Sequence, residues 1–429
     1  ASPFVAKQPR QEKPGGSSRL RVSGVKKAAQ ARGPHPRGLV GHAVAVAEQC
    51  PPEEPKPPAP KWAAPAWVPA WAQGEIPILL QCLLAFVFYL VHTLVLSRHV
   101  LPFPVQLIPN NEGLFQSIGL DTLAGVVAIG MFASLKRPNR PLPWSIGRRA
   151  GLRRKALWTT AVLAVLHFMS GYLSLMLEYL LYGVAAAGVP MTVAMHRSLQ
   201  VLGSHLGWVL AGCKVLDKNF GPFFKGRKAA PSVAESEGGG LNVDTTKAGP
   251  SSEEGAAAGG APEGREADRW LSMRFRRGEP WVWWVIGGYY ASTVVFGLSD
   301  LVNQHLLPEE AFDVVDSVVT LMINPENNDK WAMLVASLAP CVTAPWWEEV
   351  VYRGFLLPAL GLFLPTPLSV PLSGVLFGVH HMMPESAIPL AALGTLWAGL
   401  YVASGNLAVT VIVHAMWNSR VFLGSFLGI

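Results

Sequence analysis

The chain has 429 residues, of which 50% are hydrophobic and 15% are charged, and its formal net charge is +7. A soluble globular protein carries about a quarter charged residues, so this composition argues against one, and the long apolar runs indicate a polytopic membrane protein. The four cysteines are scattered without CxxC or metal-ligand spacing, which excludes a disulfide framework and a thiolate metal site. The sequence has no aromatic and basic pattern typical of nucleic-acid binding, so we predict no nucleic-acid partner.

The first 75 residues are rich in Ala, Pro and basic residues and have little apolar periodicity. The first fifty contain nine Lys or Arg but only Glu12 and Glu48 as acids. This composition is typical of an organelle transit peptide rather than of a secretory signal. We therefore predict a disordered, transit-like region at 1–75 and an organelle address. The alternatives are a merely disordered basic tail and a location in the endoplasmic reticulum.

The apolar runs predict the order of the membrane helices. They lie at 77–97, at 116–135, as a pair between Ala156 and Cys213, at 281–298, and as three or four further helices from Trp331 on. The prediction is an all-α, polytopic transmembrane helix bundle of about eight spans, in which 331–429 can include broken helices. A low-complexity linker at 216–279 separates an N-terminal membrane region of about four helices at 76–215 from a C-terminal membrane domain at 280–429.

Three charged residues lie in the apolar stretch PWWEEVVYRGFLLP: Glu348, Glu349 and Arg353. Ionised groups in apolar surroundings are costly unless they are paired or used. On a helix, Glu349 and Arg353 are four residues apart and face each other, which predicts an ion pair. Glu348 is turned about 100° away, and a carboxylate left over in a membrane helix is a candidate functional residue.

Two later apolar segments carry the other polar groups. LFGVHHMMP places His381 four residues after Phe377, and VIVHAMWNS places His414 and Asn418 four residues apart. Because intramembrane polar residues usually face the bundle interior, we expect these groups to converge with Glu348. A glutamate beside an imidazole can take a proton from water, and a second histidine and an asparagine can donate to a developing oxyanion.

Other interpretations of the polar residues stay open at this stage. Glu348, His381 and His414 are an acceptable three-ligand set for zinc, although the chain has no HExxH motif; we predict no cofactor and keep zinc as the runner-up. The remaining histidines of the apolar segments are interpreted as packing or interhelical contacts; they are His92, His167, His196 and His205.

The three polar elements together resemble the CPBP family of intramembrane proteases, also called Abi, which includes CAAX prenyl proteases and bacteriocin-processing proteins. The family pattern is EExxxR, FxxxH and HxxxN on successive helices. The chain carries this pattern as Glu348-Glu349 with Arg353, as Phe377 with His381, and as His414 with Asn418. The adjacent His380 is an additional imidazole, and the spacing from Phe377 assigns the motif position to His381. The resemblance covers roughly residues 331–429.

The resemblance implies a glutamate-dependent intramembrane endopeptidase. It implies that Glu348 and His381 activate water, that His414 and Asn418 stabilise the oxyanion, and that Glu349 and Arg353 are supporting charges. Plastid members of the family also have a transit-like N-terminus, so the resemblance implies a chloroplast location, in the thylakoid or the inner envelope. The expected partners are membrane lipids and a membrane-associated protein as substrate or client. The alternative is a non-catalytic scaffold or assembly factor of a plastid membrane, one that stabilises pigment-metabolism enzymes or photosynthetic complexes. In that case the motif only holds the bundle together.

Overall fold

A computed structural model gives the conformation of the chain. It describes residues 76–98, 119–134, 151–225, 270, 271, 273, 275, 281–308, 318–323, 325 and 328–428. Within these ranges the ordered elements are helices and no strand occurs, which confirms the all-α prediction. The predicted transit-like region at 1–75 and most of the predicted linker lie outside the described residues.

We number the α-helices in chain order. They are α1 (Ile78–Leu94), α2 (Leu120–Ser134), α3 (Leu152–Ala186), α4 (Val193–Lys225), α5 (Val282–Leu306), α6 (Val318–Ile323), α7 (Lys330–Leu338), α8 (Ala344–Glu349), α9 (Leu357–Leu360), α10 (Thr366–His380), α11 (Ala387–Ser404) and α12 (Leu407–Leu427). Two π-helical segments, Ala339–Thr343 and Val350–Leu356, join α7, α8 and α9 into one broken helical run.

Six helical segments in the described ranges are long and apolar enough to cross a membrane. They are Ile78–Arg98, Leu152–Ala186, Val193–Phe224, Val282–Leu306, Pro384–Ser404 and Leu407–Leu427. The predicted total of about eight also counted α2 and the segments between 330 and 380, which are shorter or interrupted. The expectation of broken helices after residue 331 is confirmed by the two π-helical segments.

The linker begins later than the predicted residue 216, because α4 continues to Lys225. The end of α4 mixes charged residues with aromatic ones and contains Pro222, so its composition is less apolar than that of the preceding turns. Phe220 is fully buried and packs on Trp270 and Phe355, with ring centroids 5.2 and 5.0 Å apart. Burial of this aromatic face keeps the last turns helical despite the charges.

The broken run from 330 to 360 begins at a well-defined cap. The Asp329 carboxylate accepts hydrogen bonds from the amides of Trp331 and Ala332, at 3.2 and 3.0 Å. It also accepts one at 2.6 Å from the hydroxyl of Thr192, the residue before α4. The Thr192 hydroxyl, together with the two amides, lowers the pKa of Asp329 below its ordinary value. This contact ties the start of α7 to the start of α4.

Helices α10 and α11 pack closely because three glycines face each other. A Cβ atom at Gly374 would lie 2.6 Å from the Ala391 carbonyl oxygen, and one at Gly378 would lie 2.6 Å from the Ala387 carbonyl oxygen. Gly394 of α11 lies directly against Gly374. Small residues allow such close backbone approach between membrane helices, and here they fix the helix that carries His381.

Candidate active site

Glu349 and Arg353 form the ion pair predicted from their spacing. Arg353 Nη1 lies 2.8 Å from Glu349 Oε1, and neither side chain has exposed surface. Arg353 Nη2 also donates to the Gly394 carbonyl at 2.8 Å, and the guanidinium lies 4.9 Å from the Phe377 ring centroid. These partners compensate the burial of the charge. The pair joins the 330–360 run to α10 and α11.

Glu348 points in a different direction and meets the two motif histidines. Its Oε2 atom lies 4.0 Å from His381 Nε2 and 3.8 Å from His414 Nε2. Oε2 is buried and has no hydrogen-bond partner among the described residues. Three polar side chains from three separate segments of the chain therefore converge, as expected from the sequence.

The second nitrogen of each histidine is held in place. His381 Nδ1 lies 2.8 Å from the Phe377 carbonyl oxygen, to which it can only donate. His414 Nδ1 lies 3.1 Å from Glu349 Oε1 and donates to this carboxylate. In a neutral ring, the Nε2 atom directed at Glu348 is then a hydrogen-bond acceptor. The carboxylate Glu349 thus supports Arg353 and His414 at once.

Asn418 differs from the sequence prediction. Its Nδ2 atom donates to the Pro340 carbonyl at 2.8 Å, and no described hydrogen bond joins it to Glu348 or His414. The reason lies in the π-helical segment. In such a segment the carbonyl of one residue accepts from the N–H five residues later. For Pro340 that residue is Pro345, which has no N–H. The Ala344 amide bonds to Ala339 instead. Asn418 satisfies the carbonyl that the prolines leave unpaired.

The zinc alternative would use the same three side chains, Glu348, His381 and His414. Among the residues the structure describes, no three His, Cys, Asp or Glu side chains are grouped closely enough to hold a metal ion. Ligands of a tetrahedral zinc lie about 3.3 Å from one another, whereas Glu348 Oε2 is 3.8 and 4.0 Å from the two imidazoles.

Comparison with known families addresses this same part of the chain. The family model for the type II CAAX prenyl endopeptidase Rce1-like family matches residues 330–420. We refer to residues 330–420 as the Rce1-like domain, after the family whose model they match. The match confirms the CPBP resemblance and includes all seven motif positions, from Glu348 to Asn418. No curated protein and no solved structure matched the chain.

Two helices outside the Rce1-like domain also reach the site. The His167 ring of α3 lies against the His380 ring, with centroids 3.9 Å apart, and Trp208 of α4 packs edge-on against Trp347 at 5.6 Å. His205 of α4 also lies in this cluster, with its ring centroid 5.9 Å from that of Trp208. These histidines were interpreted from the sequence as packing contacts, and no spacing between them and the motif signals this proximity.

Proposed function

We propose that the chain is an intramembrane endopeptidase that hydrolyses a peptide bond of a membrane-associated protein. The observation that carries the proposal is the convergence of His381 Nε2 and His414 Nε2 on the Glu348 carboxylate, at 4.0 and 3.8 Å. The Rce1-like domain supports the same class of reaction.

In the proposed mechanism, a water molecule bridges Glu348 and His381. Their polar atoms are too far apart for a direct hydrogen bond, but one water can lie about 2.8 Å from both. It would donate one proton to each acceptor. Glu348 takes one proton as the hydroxide attacks the peptide carbonyl, and Glu348 then returns that proton to the leaving amine.

We assign the oxyanion to His414 and a supporting position to Asn418. His414 donates from Nδ1 to Glu349, so a second donation from Nε2 requires the protonated ring. Asn418 serves as a positioning residue that anchors α12 on Pro340.

The test is hydrolysis by the purified full-length chain in lipid nanodiscs. A quenched fluorescent peptide with a prenylated CAAX terminus is compared with an unprenylated transmembrane peptide. We expect Glu348→Gln and His381→Ala to lower kcat by about 100-fold or more. Asp300→Asn is the matched control, since that carboxylate lies on α5 and accepts from Gln304. Full activity of folded Glu348→Gln protein on both peptides would refute the mechanism.

A non-catalytic scaffold is the second candidate, and one observation favours it. The Asn418 amide and the Glu349 carboxylate are committed to helix contacts, so only part of the motif is free for chemistry. The two candidates differ in a complementation test. A scaffold predicts that Glu348→Gln, accumulating to the normal level, restores a null mutant fully, whereas a peptidase predicts no restoration.

We also propose a plastid membrane, thylakoid or inner envelope, as the location, with the endoplasmic reticulum as the alternative. The basic, acid-poor composition of residues 1–75 supports a transit sequence. Imaging of a C-terminal fluorescent fusion tests the proposal. Signal confined to the endoplasmic reticulum would contradict it.

A further inference from the structure

The helical hairpin of α3 and α4 carries a stripe of polar residues within the membrane. On α3 they are Ser170, Ser174 and Glu178, and on α4 they are His196, Gln200 and Ser204. Within each helix the members are four residues apart, which places them on one face. Both helices are apolar enough overall to cross a membrane. We call these six residues the polar stripe.

Contacts between α3 and α4 join the half of the polar stripe that lies nearer the 187–192 turn, which we call the outer half. Gln200 Nε2 donates to Ser174 Oγ at 3.2 Å and to Glu178 Oε2 at 3.3 Å. His196 Nε2 lies 3.3 Å from the Glu178 carbonyl oxygen. Ser174, Glu178, His196 and Gln200 are all half-buried. An intramembrane glutamate is a functional candidate by default, because its exposure to lipid is costly.

The inner half of the polar stripe continues towards the candidate active site. Ser170 Oγ donates to the His167 carbonyl at 2.6 Å, and the His167 ring packs on His380. His167 precedes Glu178 by eleven residues, about 16 Å along the helix. His380 is in turn adjacent to His381, and their ring centroids are 5.8 Å apart.

The inner end is a group of buried polar atoms that have no hydrogen-bond partner among the residues the structure describes. Besides Glu348 Oε2, they are His167 Nδ1, His205 Nε2, Trp208 Nε1, Trp347 Nε1 and His380 Nδ1. Buried polar groups nearly always bond to protein or to ordered water. A buried water needs two to four polar partners, and this group offers several within one aromatic cluster.

Hydrolysis inside a bilayer requires a supply of water. The polar stripe runs from near the 187–192 turn towards His167, whose ring packs on His380 beside His381. We propose that the α3–α4 hairpin holds a file of water molecules that supplies the water consumed at Glu348. The stripe provides hydroxyl, amide and carboxylate partners along the path, and the unpaired ring nitrogens provide them at its end. The consumption of this water rests on the proposed peptidase function, whereas the hydration of the stripe does not.

The first test measures hydration without any need for catalysis. In the full chain in phosphatidylcholine nanodiscs, Cys50, Cys82, Cys213 and Cys341 are replaced by Ala, and Ser174→Cys or Ser204→Cys is introduced. A charged, membrane-impermeant methanethiosulfonate reagent is the probe, because only the thiolate in water reacts rapidly.

The matched control is Leu175→Cys, next to Ser174 and at the same depth, with a side chain that is 52% exposed on the lipid-facing side. We expect both stripe variants to react at least about ten-fold faster than the control. Equal rates would overturn the proposal. Slower reaction of the stripe variants would also overturn it, and would indicate that a second copy or another helix covers the stripe.

The second test links hydration to turnover. We expect the charged adduct on the Ser204→Cys variant to lower kcat about ten-fold with KM unchanged, and the adduct on the Leu175→Cys variant to leave both constants unchanged. Full turnover of the modified Ser204→Cys protein would overturn the supply role. If the cysteine-free chain and the unmodified chain both lack peptidase activity, the proposed function fails, while the reaction rates still decide whether the stripe is hydrated.

Discussion

Arg353 and Glu349 form a buried ion pair, and its contribution to the free energy of unfolding depends on the presence of both members. Replacing one partner leaves an uncompensated charge, while replacing both can be nearly neutral. Arg353→Met should therefore lower the free energy of unfolding by about 3–5 kcal/mol, and the double change Glu349→Gln with Arg353→Met should recover part of that loss. Chemical unfolding in detergent micelles measures both values. A single variant as stable as wild type would contradict this account of the pair.

Asn418 offers a separate prediction, because its donor satisfies the Pro340 carbonyl. Asn418→Asp has nearly the same size but lacks the N–H donor. We expect both Asn418→Asp and Asn418→Ala to lower the free energy of unfolding by about 1–3 kcal/mol, the cost of an unsatisfied buried group. Thermal and chemical unfolding check it. If both variants are fully stable and only kcat falls, Asn418 is an oxyanion donor, as predicted from the sequence.

At the scale of elements, the contact between α10 and α11 determines where His381 lies. An added methyl at Gly374 would meet backbone atoms, with the Thr395 nitrogen at 2.5 Å, so the helices must separate. We expect Gly374→Ala to lower the free energy of unfolding by about 1–3 kcal/mol and to reduce turnover, since His381 moves away from Glu348.

Gly399→Ala is the control for this contact, because it lies on the same α11 and a Cβ there would meet no atom within 4 Å. It should be neutral or slightly stabilising, since alanine is the better helix former. Equal stability of the two variants would show that the α10–α11 spacing is not limited by Gly374.

The broken run from 330 to 360 explains why helix periodicity predicted some contacts and not others. The Glu349–Arg353 pair spans only four residues, and its geometry follows from local helical structure. Pro340 and Pro345 remove backbone donors, but the choice of π-helical segments and of Asn418 as the substitute donor depends on how α12 packs against this run. The periodicity of one segment contains no such information.

At the scale of the whole molecule, α4 lies directly on the Rce1-like domain. A Cβ atom at Gly212 would lie 2.6 Å from Trp347 Cη2, and Trp347 is fully buried. Gly212→Leu should therefore displace α4 from the 330–360 run, lower the melting temperature and reduce turnover. Differential scanning fluorimetry and the peptide assay measure the two effects.

Gly171→Leu on α3 is the control for this interface, because a Cβ at that position meets no atom within 4 Å. It should melt close to the wild-type temperature. Wild-type stability and turnover of Gly212→Leu would indicate that the N-terminal helices do not contribute to the candidate site.

The amino-acid sequence by itself determined the class of protein, the order of the apolar helices and the motif pairs within one helix, because composition and the 3.6-residue period are local properties. Only the tertiary structure decided that Glu349 also binds His414, that Asn418 binds Pro340, and that His167 packs on His380. These contacts join segments that are distant along the chain. They depend on how packed helices pair their remaining donors and acceptors, and no local pattern specifies that pairing.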